Sequence, residues 1–164
     1  MILTKELWDY IVEKQRILDA AFMKNPRFVP DQEIRELAGL IEVDEFVKEF
    51  IDSYKWWSFK KQDGGRIVDE YIDILHFFAG YAIEWGVEAE YSKMKNDYDR
   101  YSDTLYKKRT LVDNLINLRA ERFIHIGVSR ATSMMERLEY TTEELRVAYD
   151  RKNAENFRRI AEGY

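Results

Sequence analysis

The chain has 164 residues, 46% of them hydrophobic and 35% charged, with a net charge of -5 and a pI near 5.2. That length suits one domain, residues 1–164, with a real core, and the acidic balance excludes a nonspecific nucleic-acid binder, whose affinity rests on a basic, phosphate-neutralising surface. Without cysteine there is no disulfide frame, thiolate nucleophile or thiolate-held zinc, and His76 and His125 are too few for a histidine zinc site. Two prolines and seven glycines point to a helix-rich fold. A cytoplasmic setting is expected: Met1 to Glu6 lacks a basic-then-apolar leader, and no apolar run approaches the ~18 residues of a membrane span.

Thr4 to Lys24 reads as a first helix, with Thr4 as cap and Leu7, Ile11, Leu18, Ala21 and Phe22 at helical spacing, ended by Asn25-Pro26. Gln15 and Asp19, four apart, share one face of it, either a solvated face or one turned to a ligand. Pro30-Asp31 opens the second helix with Asp31 as cap, and Leu40, Val43, Val47, Phe50, Ile51 and Tyr54 form its buried stripe. Glu42, Glu45 and Glu49 run beside that stripe.

Tyr54 to Ser58 ends the second helix, and Phe59 to Gly65 reads as a loop by its charges and glycines. Of the adjacent Trp56 and Trp57, one can enter the core while the other serves stacking or an interface, or both can serve packing. Lys55, Lys60 and Lys61 offer charge to a phosphate or simply solubilise the loop. A third helix is expected from Ile67 to about Met94, with Ile67, Tyr71, Ile74, Phe78, Ala82 and Trp85 as its core stripe. Glu70 and Asp73 flank that stripe, and His76 reads as a packing or hydrogen-bonded residue.

Glu42/Glu45 and Glu70/Asp73 thus lie on either side of a turn from Ser58 to Gly65. A hairpin there brings four carboxylates together, each pair on one helix face. Such a cluster calls for cations, because like charges raise one another's pKa, and Mg2+ is the usual hard partner of carboxylate oxygens. Spacing alone is a weak signal: Glu6/Asp9, Glu33/Glu36 and Glu136/Glu139 share it.

Asp97 to Thr104 is polar and turn-like, and Leu105 to Leu138 reads as one long or two short helices with Leu111, Leu115, Leu118, Phe123 and Ile126 as core. Thr141-Thr142-Glu143-Glu144 is a capping box. The last helix carries Tyr149, Lys152, Asn153, Asn156, Arg159 and Gly163 along one face, a phosphate-binding face or an ordinary surface one.

Three stretches together resemble the all-α dimeric dUTPases, relatives of the MazG-type nucleoside triphosphate pyrophosphohydrolases. They are Glu42-x-x-Glu45, Lys55-Trp56-Trp57 and Glu70-x-x-Asp73-Ile74-Leu75-His76-Phe77, followed by a tail that matches the family pattern from Tyr149 through Lys152-Asn153, Asn156 and Arg159 to Gly163-Tyr164, departing only at Ile160. The resemblance implies an all-α, MazG-like bundle assembled as a homodimer, and a helical chain with exposed aromatics such as Trp85 and Tyr81 can bury them across a twofold interface. It also implies Mg2+-dependent hydrolysis of dUTP to dUMP and pyrophosphate, with two or three ions held by Glu42, Glu45, Glu70 and Asp73, and with Glu42 as general base. Gln15 and Asp19 are similar to the motif that faces the uracil. Lys55, Trp57, Tyr149, Lys152, Asn153, Asn156 and Arg159 are the further substrate-binding residues it implies. Two other readings stand beside this one: a MazG-like enzyme acting on another nucleotide such as dCTP, and a helical interaction protein with a regulatory partner.

Overall fold

The structure is a computed structural model and describes residues 1–24, 32–103 and 108–163. These form eight α-helices and no strand: α1 Lys5–Phe22, α2 Gln32–Glu49, α3 Ile51–Tyr54, α4 Gly64–Trp85, α5 Val87–Tyr101, α6 Leu111–Arg119, α7 Ile124–Arg137 and α8 Thr142–Ala161. The all-α expectation holds. The expected stop at Asn25-Pro26, the cap at Asp31 and the start near Leu105 lie outside the described residues.

α4 is the central element, packed against α1, α2, α5, α7 and α8. A helix surrounded in this way must be apolar over most of its circumference, and Ile67, Val68, Tyr71, Ile72, Ile74, Leu75, Phe78, Ala79 and Ala82 are all buried. Against it α1 lays Leu7, Trp8, Ile11 and Leu18, with the Trp8 and Phe78 ring centroids 4.9 Å apart. Thr4 caps α1 by accepting from the Leu7 amide at 3.2 Å. α2 approaches α4 and α7 closely at Gly39, where a Cβ would stand 2.3 Å from Ile124 Cδ1 and 3.3 Å from Phe77 Cβ.

Several expected boundaries shift. α2 breaks at Phe50 (φ -78, ψ 51) before the short α3, so Ile51 stays buried while Tyr54 comes to the surface, and Phe46 fills the core between Val43 and Phe50. α4 starts three residues before Ile67, because the Asp63 side chain accepts from the Gly65 amide at 2.8 Å. It stops at Trp85 rather than Met94: Gly86 has φ 117, a backbone conformation that disfavours a side chain. Trp85, expected in the core, is 51% exposed beside that break.

α5 then runs through Tyr101, over part of the stretch expected as a turn. The described part of the stretch expected as one long or two short helices forms two, α6 and α7, and the core of the second is Ile124, Val128, Ala131 and Met135. Phe123, expected inside, has extended backbone at the N-cap of α7 and is exposed, and Ile126 is half-buried. Thr141 and Glu144 form the expected capping box of α8. Among the described residues no helix is long and apolar enough to cross a membrane.

Candidate active site

Glu42 and Glu45 stand one turn apart on α2, and Glu70 projects from the neighbouring α4. Each offers a carboxylate oxygen within 4.8 Å of the others, and among the described residues they are the one group of three acids or histidines crowded in this way. The pairs with the same spacing behave differently: Asp9 pairs with Lys5, and Glu136 Oε1 lies 3.2 Å from the amino group of Met1. Glu49, on the same line as Glu42 and Glu45, is held by Arg66 at 2.8 Å.

Burial, then the charges of Asp73, Glu45 and Glu70, push the Glu42 carboxyl up to about 7. Glu70 is raised as well, by burial first and Asp73 second. Asp73 is not in the crowded trio. One turn beyond Glu70, its Oδ2 lies 2.6 Å from Lys152 Nζ on α8, and burial raises its carboxyl in spite of that lysine.

Beside the acids lies a cavity of about 400 Å3. Its polar wall includes Gln15, Asp19, Glu42, Asp73, Asn156 and Arg159, and its apolar wall Leu18, Phe22, Ile34 and Phe77. Gln15 is buried, not solvated, and its Nε2 donates to Asp19 Oδ1 at 2.7 Å. Its Oε1 lies 2.7 Å from His76 Nδ1. The His76 ring stacks on Tyr149 with centroids 4.4 Å apart, and Tyr149 in turn donates to the Ile11 carbonyl at 3.2 Å.

Of the sequence-derived candidates, Gln15, Asp19, Glu42, Asp73, Asn156 and Arg159 meet at this cavity, with Glu45 and Glu70 joined to it through Glu42. Tyr149 and Asn153 are buried in α8, and Asn153 Oδ1 has no protein partner. Lys55 and Trp57 do not line the cavity: Lys55 Nζ sits 5.5 Å from the Tyr54 ring, and Trp56 and Trp57 are 90% and 62% exposed. Neither tryptophan enters the core. Sequence reasoning missed Arg35, whose Nη1 donates to Asp19 Oδ2 at 3.1 Å; nothing local to Arg35 marks a partner sixteen residues away on another helix.

An all-helical frame that sets carboxylates and two arginines, Arg35 and Arg159, around one cavity has the make-up of a phosphate-handling hydrolase. The family model described as dUTPase matches residues 7–164, nearly the whole chain. The chain belongs to the dUTPase family. It is accordingly a dUTP diphosphatase, a nucleoside triphosphate pyrophosphohydrolase acting on a nucleotide. A search of curated proteins gave no match.

Proposed function

We propose that Glu42, Glu45, Glu70 and Asp73 hold Mg2+, as two or three ions, and that the cavity beside them takes dUTP for cleavage to dUMP and pyrophosphate. The observation that carries the reading is the crowding of three carboxylates within 4.8 Å, with Glu42 raised to about 7 by burial and by the neighbouring acids. Acids at that separation, Glu42 and Glu70 half-buried and Glu45 exposed, oppose one another's ionisation and match the donor preference of a hard divalent ion. Bound there, Mg2+ supplies Lewis-acid neutralisation of phosphate oxygens and an acidified water.

The chain's own residues do the rest. Glu42 takes the proton of the water that attacks the β phosphorus, and the bond to the oxygen bridging the α and β phosphorus breaks, so dUMP keeps that oxygen. Lys152, Asn156 and Arg159 approach from α8, with Tyr149 and Asn153 behind them. Lys152 exchanges Asp73 for a phosphate oxygen, and Arg159 offers the planar fork that suits two oxygens at once. Gln15 and Asp19 read the base edge, and a pocket fitted to uracil would reject a 5-methyl group sterically. Lys55 and Trp57 join the substrate only when the 55–63 segment or a partner subunit brings them over the cavity.

Residues 1–164 form one domain in this reading, working as a homodimer in the cytoplasm. Leu37 and Ile41, exposed on α2 one turn apart, and the exposed Trp85 support the dimer. Trp56, Trp57 and Phe59 offer a second exposed aromatic surface, suited to the partner subunit or a regulatory protein. Sedimentation at micromolar concentration should give a dimer, and a monomer overturns that part.

The catalytic reading is tested by pyrophosphate release from dUTP, dTTP, dCTP and dATP in Mg2+ and then in EDTA. Selective, chelator-sensitive cleavage of dUTP is expected. Cleavage of several nucleotides moves the protein to a broader MazG-like specificity, and the absence of all cleavage overturns the assignment.

A further inference from the structure

The polar side chains beside the cavity form a hydrogen-bonded chain with one direction. Arg35 Nη1 donates to Asp19 Oδ2 at 3.1 Å, and its Nε lies 3.0 Å from Glu84 Oε1. Gln15 Nε2 donates to the other Asp19 oxygen at 2.7 Å. An ionised carboxylate only accepts, so the amide cannot turn over without setting two oxygens face to face. Gln15 Oε1 therefore points at His76 Nδ1, 2.7 Å away. An amide oxygen also only accepts, so Nδ1 carries the proton. Burial holds the ring neutral, and Nε2 is left unprotonated and without a protein partner, shielded from solvent in a residue that lines the cavity.

Room for this arrangement comes from α4. A Cβ at Gly80 would stand 2.9 Å from Arg35 Nη1 and 3.5 Å from Asp19 Oδ2. Glycine inside a helix is unfavourable in itself, and here it vacates the space that the guanidinium fills.

We propose that Arg35 is a positioning residue for base recognition: acting through Asp19 and Gln15, it holds His76 in the Nδ1–H tautomer, so that Nε2 is a lone acceptor for an N–H group of the pyrimidine. The substrate in this proposal rests on the dUTP-cleaving reading, whereas the tautomer rests on hydrogen-bond geometry alone. Uracil carries an N–H at N3 and cytosine a lone pair at the same place. An acceptor with no proton to give therefore pairs with uracil and repels cytosine, a discrimination in which the unpaired buried group sets the penalty.

The test uses full-length protein labelled with 15N-histidine. With two histidines in the chain, two-bond proton–nitrogen spectra assign His76 directly. The wild type should show Nδ1 protonated and Nε2 bare. Asp19→Ala and Arg35→Met should move His76 toward the Nε2–H form, and so should Asp19→Asn, whose single oxygen stays with Arg35 so that its N–H meets Gln15 and turns that amide over. Gly80→Ala displaces the guanidinium without altering any charge and should act in the same direction as Arg35→Met.

In parallel, the preference for dUTP over dCTP in kcat/KM should fall on the order of tenfold in Arg35→Met, the effect of about one buried hydrogen bond, and should enter through KM. A wild-type His76 protonated at Nε2 overturns the proposal. So does a tautomer or a dUTP preference that is unmoved in both Arg35→Met and Asp19→Ala. If the wild type cleaves neither nucleotide, the dUTP-cleaving reading fails, and the spectra still decide whether Arg35 sets the tautomer.

Discussion

Lys152 Nζ on α8 lies 2.6 Å from Asp73 Oδ2 on α4, so the last helix is tied to the acid-bearing helix at the edge of the carboxylate cluster. Both side chains are mostly shielded from solvent, which makes the pair stronger than a surface ion pair and weaker than a fully buried one. Lys152→Ala leaves Asp73 without its cation and should lower the stability of the metal-free protein by about 1–3 kcal/mol. Millimolar Mg2+ should recover much of that loss. Urea unfolding with and without Mg2+ checks both parts, and a variant equally destabilised in either condition contradicts the proposed ligand role of Asp73.

Arg159 reaches the same cavity from α8, where it also pairs with Glu155 at 2.6 Å. Because that ion pair is partly exposed and one turn apart on the helix, removing it costs little stability. Arg159→Ala should therefore melt near the wild type yet show KM for dUTP raised by about tenfold or more, the loss of a charge-assisted contact to phosphate. Steady-state kinetics beside a thermal melt separate the two effects.

Glu42 and His76 should bend the pH dependence of stability in opposite directions. The Glu42 carboxyl is pushed up to about 7 from an ordinary 4.5, so between those values the folded state holds the extra proton and stability falls as pH rises. Burial, then Lys152, pushes His76 down to about 3 from 6.5, so below 6.5 the unfolded state takes the proton and stability falls as pH drops. In metal-free protein, Glu42→Gln should reduce the loss on the alkaline side, to which the raised Glu70 and Asp73 also contribute, and His76→Gln should reduce the loss on the acid side. Urea midpoints from pH 4 to 8 read both; parallel curves for wild type and Glu42→Gln contradict the shift at Glu42.

Gly39 sets how near α2 comes to its neighbours. Gly39→Ala places a Cβ 2.3 Å from Ile124 Cδ1 and 3.3 Å from Phe77 Cβ. The terminal methyl of Ile124 can rotate away, but the Phe77 Cβ is fixed to its backbone. Overpacking of about 1–3 kcal/mol should exceed the ~1 kcal/mol that alanine contributes over glycine in a helix. A net loss of stability by chemical denaturation is expected, together with weakened Mg2+ binding as Glu42 and Glu45 shift with their helix.

What could be read from the chain was what is local. The Glu42/Glu45 spacing on α2, the Thr4 cap and the Thr141/Glu144 box depend on neighbours within a turn, and they appear as expected, whereas Asp73 stands outside the crowded trio with Lys152. Helix ends set by one residue were harder: a single Gly86 looks tolerable inside a periodic run until its φ of 117 is seen. Trp85 and Phe123 have the hydrophobicity of core residues, and their position beside helix breaks decides against it. The contacts of His76 with Gln15 and of Lys152 with Asp73 span 61 and 79 residues of chain, and no periodicity records which polar residues of different helices will meet.

The central claim is that the acid cluster on α2 and α4 holds the metal used to cleave dUTP. Its most direct test is pyrophosphate release from dUTP by the wild type and by Glu42→Gln, each in Mg2+ and in EDTA, with circular dichroism to show that the helices persist. Release should be rapid for the wild type in Mg2+ and fall at least about a thousandfold in EDTA or on substitution, the scale on which a metal-activated nucleophile and its base act together. Cleavage that persists in EDTA, or in Glu42→Gln with Mg2+, would contradict it.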